Sequence, residues 1–343
     1  MTPVSQIVWK NRGKFSSDKA LLLVNPPADG LALNLQDEGF TVTALCHSHA
    51  SHTQLSAAGI RSHFRVTLPR TEKPAQIVLF QPREKPLLEM MLALCGGWLE
   101  EGGELWLAGA NRAGIRSAGK RLSTHFGTHR KVDSARHCGL FMANSPTTGS
   151  KQSVESFTET WTFEAAQREW SMASLPGVFA HGHLDDGSKL LIDTLTSDDL
   201  RGELNGRILD FACGAGVIGI PLAGLRPDTD VTLLDDSAIA LEAAKRSLEA
   251  NGIKAELIAS DGLTEVLKDA CPRFDWIVSN PPFHSGVETN TETAERFFRE
   301  SSQVMNPGAR LCLVSNVHLP YGRWLQELFD LSLIHISEPT RRA

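Results

Sequence analysis

The chain has 343 residues, 41% of them hydrophobic, and a formal net charge of −6. That is long enough for two domains with real cores, and no apolar run approaches the ~18 residues a membrane span needs. Six cysteines, at 46, 95, 138, 213, 271 and 312, include no C-x-x-C pair, and Met1–Lys10 shows no signal-peptide pattern, so reduced thiols in a cytoplasmic protein are expected.

The net charge hides an asymmetry. Residues 1–150 carry 17 Lys+Arg against 11 Asp+Glu, whereas residues 151–343 carry 17 against 29. The densest basic run, Asn111–Gly139, holds Arg112, Arg116, Lys120, Arg121, Arg130, Lys131 and Arg136 against Asp133 alone. Such a half suits an anionic partner; a merely solvated face fits the charge pattern equally well.

In chain order, Ala20–Val24 reads as a strand, Asn25-Pro26-Pro27 as a turn, Leu31–Asp37 as a helix and Phe40–Leu45 as an alternating strand. Cys46, His47, His49 and His52 are metal-ligand residue types at a spacing that matches no zinc pattern, so an exposed loop is expected and no metal. Gln76–Phe80 is a strand, Leu87–Gly96 a helix and Glu104–Gly109 a strand. Gly114-x4-Gly119-Lys120 imitates a phosphate loop, but Arg121 stands where Ser or Thr would hold magnesium. The polar stretch 144–153 reads as a linker. Phe157, Trp161, Phe163 and Trp170 then form an apolar face expected to cover the next domain, and loops at 175–179 and 185–188 precede a helix, Lys189–Leu195.

The second half has the strand–loop–helix rhythm of a parallel α/β sheet. Strand Arg207–Asp210 runs into Phe211-Ala212-Cys213-Gly214-Ala215-Gly216, whose small residues let a ligand approach a helix N-terminus. Strand Val231–Leu234 ends in Asp235, placed to accept hydrogen bonds from two ribose hydroxyls. Gly214, Gly216 and Gly219 also satisfy G-x-G-x-x-G, so spacing alone leaves a dinucleotide open. Asp261-Gly262 follows the third strand; Asp261 suits an adenine amino group or a plain exposed loop.

The fourth strand, Trp276–Ser279, ends in Asn280-Pro281-Pro282-Phe283. Two prolines stiffen the loop and leave its carbonyls free to accept, and the Asn280 side chain adds another acceptor. Converging acceptors suit a planar amino group, and Phe283 offers a face for a ring to stack on, with core packing as the competing reading.

The series Asp210-x-x-x-Gly214-x-Gly216, Asp235, Asp261 and Asn280-Pro281-Pro282-Phe283 resembles the class I S-adenosylmethionine-dependent methyltransferases. The strings at 111–118, 131–140, 175–179 and 280–284 resemble the bacterial small-subunit ribosomal RNA guanine-N2 methyltransferases, across about residues 15–328. The resemblance implies an α/β fold of two tandem Rossmann-like domains, the first degenerate. Domains are expected at 1–143 (RNA-binding) and 154–330 (catalytic). It also implies S-adenosylmethionine held by Asp210, Ala212, Gly214, Gly216, Asp235, Asp261, Gly262 and Asn280. Asn280, Pro281, Pro282 and Phe283 would be catalytic, and Phe283, His284, Arg112, Arg116 and Arg136 would bind substrate. The expected partner is 16S ribosomal RNA, within the small subunit and met by a monomer.

A duplication is visible in the sequence. Ile77–Pro82 followed by Glu104–Gly109 mirrors Ile277–Pro281 followed by Arg310–Ser315, with Gln81-Pro82-Arg83 in the place of Asn280-Pro281-Pro282 and Cys46 near that of Asp235. The end departs from the family: a strand pair is expected after Phe329, yet residues 331–343 read as a foreign tail, leaving the second sheet truncated. Three further readings stay open: a large-subunit ribosomal RNA guanine-N2 methyltransferase, a protein-glutamine methyltransferase and a non-enzymatic RNA-binding protein.

Overall fold

The computed structural model describes residues 1–69, 71–148, 152–197, 200, 202–268, 273–281, 291–314 and 321–329. After α1 (Pro3–Lys10), the first half alternates β1 (Leu21–Val24), α2 (Leu31–Asp37), β2 (Val42–Cys46), α3 (His49–Ala57), β3 (Arg61–Phe64), β4 (Gln76–Phe80), α4 (Lys85–Trp98) and β5 (Glu104–Ala110). α5 (Ala118–His125) and a hairpin of β6 (Phe126–Ala135) and β7 (Cys138–Pro146) complete it. These strands form one sheet in the order β3-β2-β1-β4-β5-β7-β6, parallel except for β7 and β6.

A two-stranded ribbon, β8 (Glu159–Ala165) and β9 (Arg168–Ser174), leads to α6 (Asp186–Leu195) and the second sheet. That sheet uses β10 (Arg207–Phe211), α7 (Gly219–Leu225), β11 (Asp230–Asp235), α8 (Ala238–Asn251), β12 (Glu256–Ala259), α9 (Thr264–Lys268), β13 (Phe274–Ser279), α10 (Thr291–Val304) and β14 (Met305–Leu313), followed by α11 (Tyr321–Leu328). Its order, β12-β11-β10-β13-β14, is all parallel and repeats the first five strands of the first sheet. The duplication is therefore architectural. Even backbone strain recurs: β1 pairs Val24 with Leu45 and β10 pairs Phe211 with Leu234, and the next residues, Asn25 and Ala212, have φ of 53° and 56°.

Two local expectations are corrected. β7 continues through Pro146, so the first three residues of the expected linker belong to the sheet. Asp186-Gly187-Ser188 is the first turn of α6 rather than a loop, because Asp185 caps the helix by accepting from the Ser188 N–H at 3.1 Å. The aromatic stretch does cover the second half, as expected: Phe157, Trp161 and Phe163 pack on its core, Trp170 on the β8–β9 ribbon is fully buried, and the Ala173 N–H bonds Ser247 Oγ on α8 at 2.9 Å. The strand pair expected after Phe329 and the tail 331–343 lie outside the described residues.

The halves share one apolar core. α4 residues from Leu87 to Trp98 cluster with Trp170, Leu191, Ile208 and Ile239 of the second half. At its rim two helix N-termini meet: Ser48 and Ser237, the N-caps of α3 and α8, pair antiparallel. His49 N donates to Asp236 O at 2.8 Å and Ala238 N to His47 O at 2.7 Å, a reciprocal pair related by the duplication. Each half satisfies orphan N–H groups of the other's helix.

Beneath the second sheet's ligand edge lies Asp210, 1% exposed, with Oδ2 accepting from the Gly219 N–H at 2.8 Å. Burial pushes its carboxyl up to about 7 from 3.8, against the Gly219 bond and with help from the charge of Asp235. The folded protein keeps this proton to higher pH than the unfolded chain. The stability it contributes is therefore present below pH 3.8 and lost as pH rises through about 7. Asp210→Asn, which can still accept from Gly219, removes that slope. Urea midpoints of the wild type should fall relative to the variant between these two pH values, and the gap should level off above them; parallel curves would disprove the assignment.

Candidate functional site

Strand order reverses between β10 and β13, which leave the same central position in opposite directions. Crevices at the carboxyl ends of such strands bind ligands. Ser279, the last residue of β13, donates from Oγ to Phe211 O at the tip of β10 at 2.7 Å. That bond ties the Asn280-Pro281 corner to the glycine turn, so the two expected chemical elements share one edge.

In the turn, Ala212, Gly214 and Gly216 have φ of 56°, 57° and 84°, a left-handed path closed by the Gly216 N–H donating to Cys213 O at 2.8 Å. Asp235 braces it: Oδ2 accepts from Gly214 N at 2.9 Å and Oδ1 from Ser237 N at 2.8 Å. Each oxygen keeps a second lone pair. Burial raises the Asp235 carboxyl, with the backbone bonds opposing it. Oδ1 of Asp210 is buried without a hydrogen-bond partner among the described residues. Carboxylate oxygens beside a turn of small residues suit a ligand carrying hydroxyls and a cation.

Asp261 reaches this edge after β12, but its Oδ1 accepts from Arg296 Nη2 on α10 at 2.7 Å. Gly262 has φ +61°, and a Cβ there would collide with the Arg296 guanidinium. The Arg296 packing by itself accounts for that glycine.

Asn280 holds the most constrained polar group of the site. Its Nδ2 donates both hydrogens to α6: to Asp185 Oδ1 at 2.8 Å and to Ser188 Oγ at 3.1 Å. A carboxylate only accepts, so the amide nitrogen must face Asp185, and the oxygen is turned to the other side. Gly187 makes the approach possible; a Cβ there would sit 3.1 Å from Asp185 Oδ1 and 3.2 Å from Asn280 Nδ2. Asp185 and Ser279 were not among the site residues expected from sequence. Asp185 was legible as an N-cap, but not its contact 95 positions away.

Pro281 follows at the corner, buried, while Pro282, Phe283 and His284 lie outside the described residues. Phe179 is 71% exposed. Arg112, Arg116 and Arg136 are on the first half and are not brought to the Asn280 edge. Arg116 and Arg136 line, with Lys131, His137 and Asn111, a cavity of about 400 Å³ at the β6–β7 turn. Arg112 is near enough to counter the rise that burial imposes on the Cys138 thiol. Arg136 is held by Gln6 Oε1, and Arg121 pairs with Glu89.

The equivalent edge of the first half is built differently. Gln81, at the end of β4, gives its amide to Ala113 O. Asn25 Oδ1 accepts from His47 N at 2.8 Å, and its Nδ2 lies 3.2 Å from His47 Nδ1. Burial pulls the His47 imidazole down to about 4. His49 packs edge-on to Phe64 at 5.3 Å, and His52 Nδ1 lies 2.8 Å from Ser62 Oγ.

Comparison with known proteins agrees with this duplicated plan. Residues 169–336 match the Methyltransferase small domain family, and residues 5–161 match its N-terminal counterpart, Methyltransferase small domain N-terminal. Ribosomal RNA small subunit methyltransferase C of Hahella chejuensis is 37% identical, covering 94% of this chain and 92% of its own. The protein of that name from Pseudomonas aeruginosa is 39% identical at the same coverage. A solved T. thermophilus 16S rRNA N2 G1207 methyltransferase, in complex with AdoMet and guanosine, is 25% identical; it superposes with a TM-score of 0.82 over 95% of this chain and 87% of its own. With more than nine-tenths of both chains aligned to such relatives, this protein belongs to the ribosomal RNA small subunit methyltransferase C family.

Proposed function

We propose that the protein transfers a methyl group from S-adenosylmethionine to the exocyclic N2 of a guanine in 16S ribosomal RNA. The observation that carries the reading is the locked Asn280 amide, held at the β10/β13 reversal within one edge of the glycine turn. The relatives' activity and the AdoMet and guanosine held by the T. thermophilus enzyme support it.

S-adenosylmethionine, when bound, supplies an electrophilic methyl on a sulfonium. The residues here fit it: the turn from Ala212 to Gly216 carries only small side chains, Asp235 has lone pairs for ribose hydroxyls, and Asp210 Oδ1 has no donor among the described residues. Asp261 offers its second oxygen toward the adenine, beside Gly262.

Guanine N2 is a weak nucleophile because its lone pair is delocalised into the ring. Asn280 Oδ1 and the Pro281 carbonyl would accept its two hydrogens and favour a pyramidal nitrogen, with its lone pair directed out of the ring plane. Because α6 already fixes the Asn280 amide, no reorganisation is needed as charge develops, and positioning plus electrostatics supply the catalysis. The nucleotide is extruded from any helix to reach this corner, where Pro282, Phe283 and His284 would frame the base. The cavity bearing Arg116, Lys131 and Arg136, with Arg112 nearby, would track the RNA backbone, the target being presented within the small subunit to a cytoplasmic monomer.

Asn280→Ala should lower methyl transfer to 16S rRNA by ~10²–10³-fold while leaving S-adenosylmethionine affinity nearly intact. Labelled cofactor with purified small subunits measures the first and calorimetry the second; retained transfer would overturn the role. Neutralising Arg112, Arg116 and Arg136 together should weaken RNA binding and flatten its salt dependence by up to ~3 in log–log slope. An unchanged slope returns these residues to a solvated face.

A further inference from the structure

The guanine edge has a donor that neither Asn280 nor Pro281 addresses: N1–H, adjacent to N2. The structure holds a matching unmet acceptor. Asp185 uses Oδ1 twice, accepting from Asn280 Nδ2 at 2.8 Å and Ser188 N at 3.1 Å. Its Oδ2 is buried and has no hydrogen-bond partner among the described residues. A buried carboxylate oxygen without a donor is unfavourable, and one bonded beside the catalytic amide is placed for a donor that arrives with the substrate.

We infer that Asp185 is the guanine-selecting residue, with Oδ2 accepting the N1–H of the base whose N2 amine is held by Asn280. This rests on the proposed guanine-N2 reading. The chemistry then discriminates among purines. Guanine presents N1–H and N2–H₂ side by side, both donors; 2-aminopurine keeps the amine but carries a lone pair at N1, which a carboxylate repels; adenine has no N2 amine. A site built to pair a substrate N–H rejects analogues lacking it far more strongly than an apolar pocket rejects a change of size. The proton on N1 is recognised and stays where it is. Asp185 is suited to the task because its other oxygen fixes it to the helix and to Asn280, so recognition of N1 and orientation of the catalytic amide are coupled through one carboxylate.

Asp185→Asn tests this without unmaking the helix, since Asn is an equally good N-cap. Its Oδ1 must still face Asn280 Nδ2 and Ser188 N, so its NH₂ takes the place of Oδ2 and presents a donor to N1. Full-length wild type and variant are compared for methyl transfer to 16S rRNA in small subunits, for S-adenosylmethionine affinity, and for binding of guanosine and 2-aminopurine riboside. Expected are a loss of at least ~30-fold in kcat/KM on rRNA, cofactor affinity within about twofold, and a preference shifted at least ~10-fold toward 2-aminopurine riboside. Rescue of rRNA methylation by Asp185→Glu to above the Asn level would add support. Full activity of the Asn variant on rRNA, or an unchanged nucleoside preference, overturns the inference while leaving the proposed function standing. Loss of cofactor affinity also overturns it, assigning Oδ2 to the cofactor. A wild type that methylates no guanine N2 in rRNA sinks the proposed function itself.

Discussion

The site depends on the hydrogen bonds that leave the Asn280 amide no rotational choice. A free asparagine presents donor and acceptor interchangeably, and a site that must hold a planar amine needs only the acceptor. Asp185 and Ser188 take both hydrogens of Nδ2. Ser279 fixes the backbone one residue earlier against Phe211. Three short contacts from two elements thus determine where one oxygen lies relative to the glycine turn. Preorganisation of this kind places the ordering entropy in folding rather than in the reaction.

That arrangement places demands on the rest of the second half. α6 must begin at Asp186, because its cap and first turn supply both partners, and a side chain at 187 would press on Asp185 and Asn280. β10 and β13 must be neighbours, which the β12-β11-β10-β13-β14 order ensures. The ribbon β8–β9 precedes α6 and is anchored on α8 through Ser247 and Asn251, the latter donating to Ser171 O at 2.6 Å. Its buried Trp170 joins the core shared with α4. The first half therefore supports the Asn280 corner through packing and through the reciprocal bonds at Ser48 and Ser237.

Much of this was legible in the residues. Apolar runs and their turn punctuation placed β4, α2 and β5 to within a residue, since buried parallel strands are near-continuous hydrophobic runs. The Asn280-Pro281 corner and the Gly214–Gly216 turn were legible because proline and glycine carry their constraint in their covalent structure. What escaped was set by partners distant in sequence. Asp185 reads locally as a cap, and only the fold brings Asn280 to it. Asp261 reads as a free carboxylate until Arg296 arrives from α10. The start of α6 was placed three residues late because Gly187 looks like a loop residue, whereas the close approach of Asn280 is its reason. The linker was placed early because Asn144-Ser145-Pro146 is polar, though Asn144 pairs with Glu104 across the sheet.

The two copies also brace their strand tips with different chemistry. Both need a brace between the first and second strand tips, and they make it from opposite sides. In the second copy the β11 residue Asp235 reaches back to Gly214 N at 2.9 Å, and a carboxylate oxygen so engaged still has a lone pair for a ligand hydroxyl. In the first copy the brace comes from Asn25, just past β1, which accepts from His47 N through Oδ1 and directs its amine at His47 Nδ1. Both ends of that amide face the protein, the imidazole is buried and held near neutrality, and Cys46 occupies the place of the carboxylate. The first tip thus presents an amide and a neutral imidazole to a cavity of about 250 Å³, the second a carboxylate with capacity to spare. Cys46 and the Asn25–His47 contact in place of a charged acceptor remove the carboxylate from this tip while keeping the fold, the strand order and the helix cap that the other half needs.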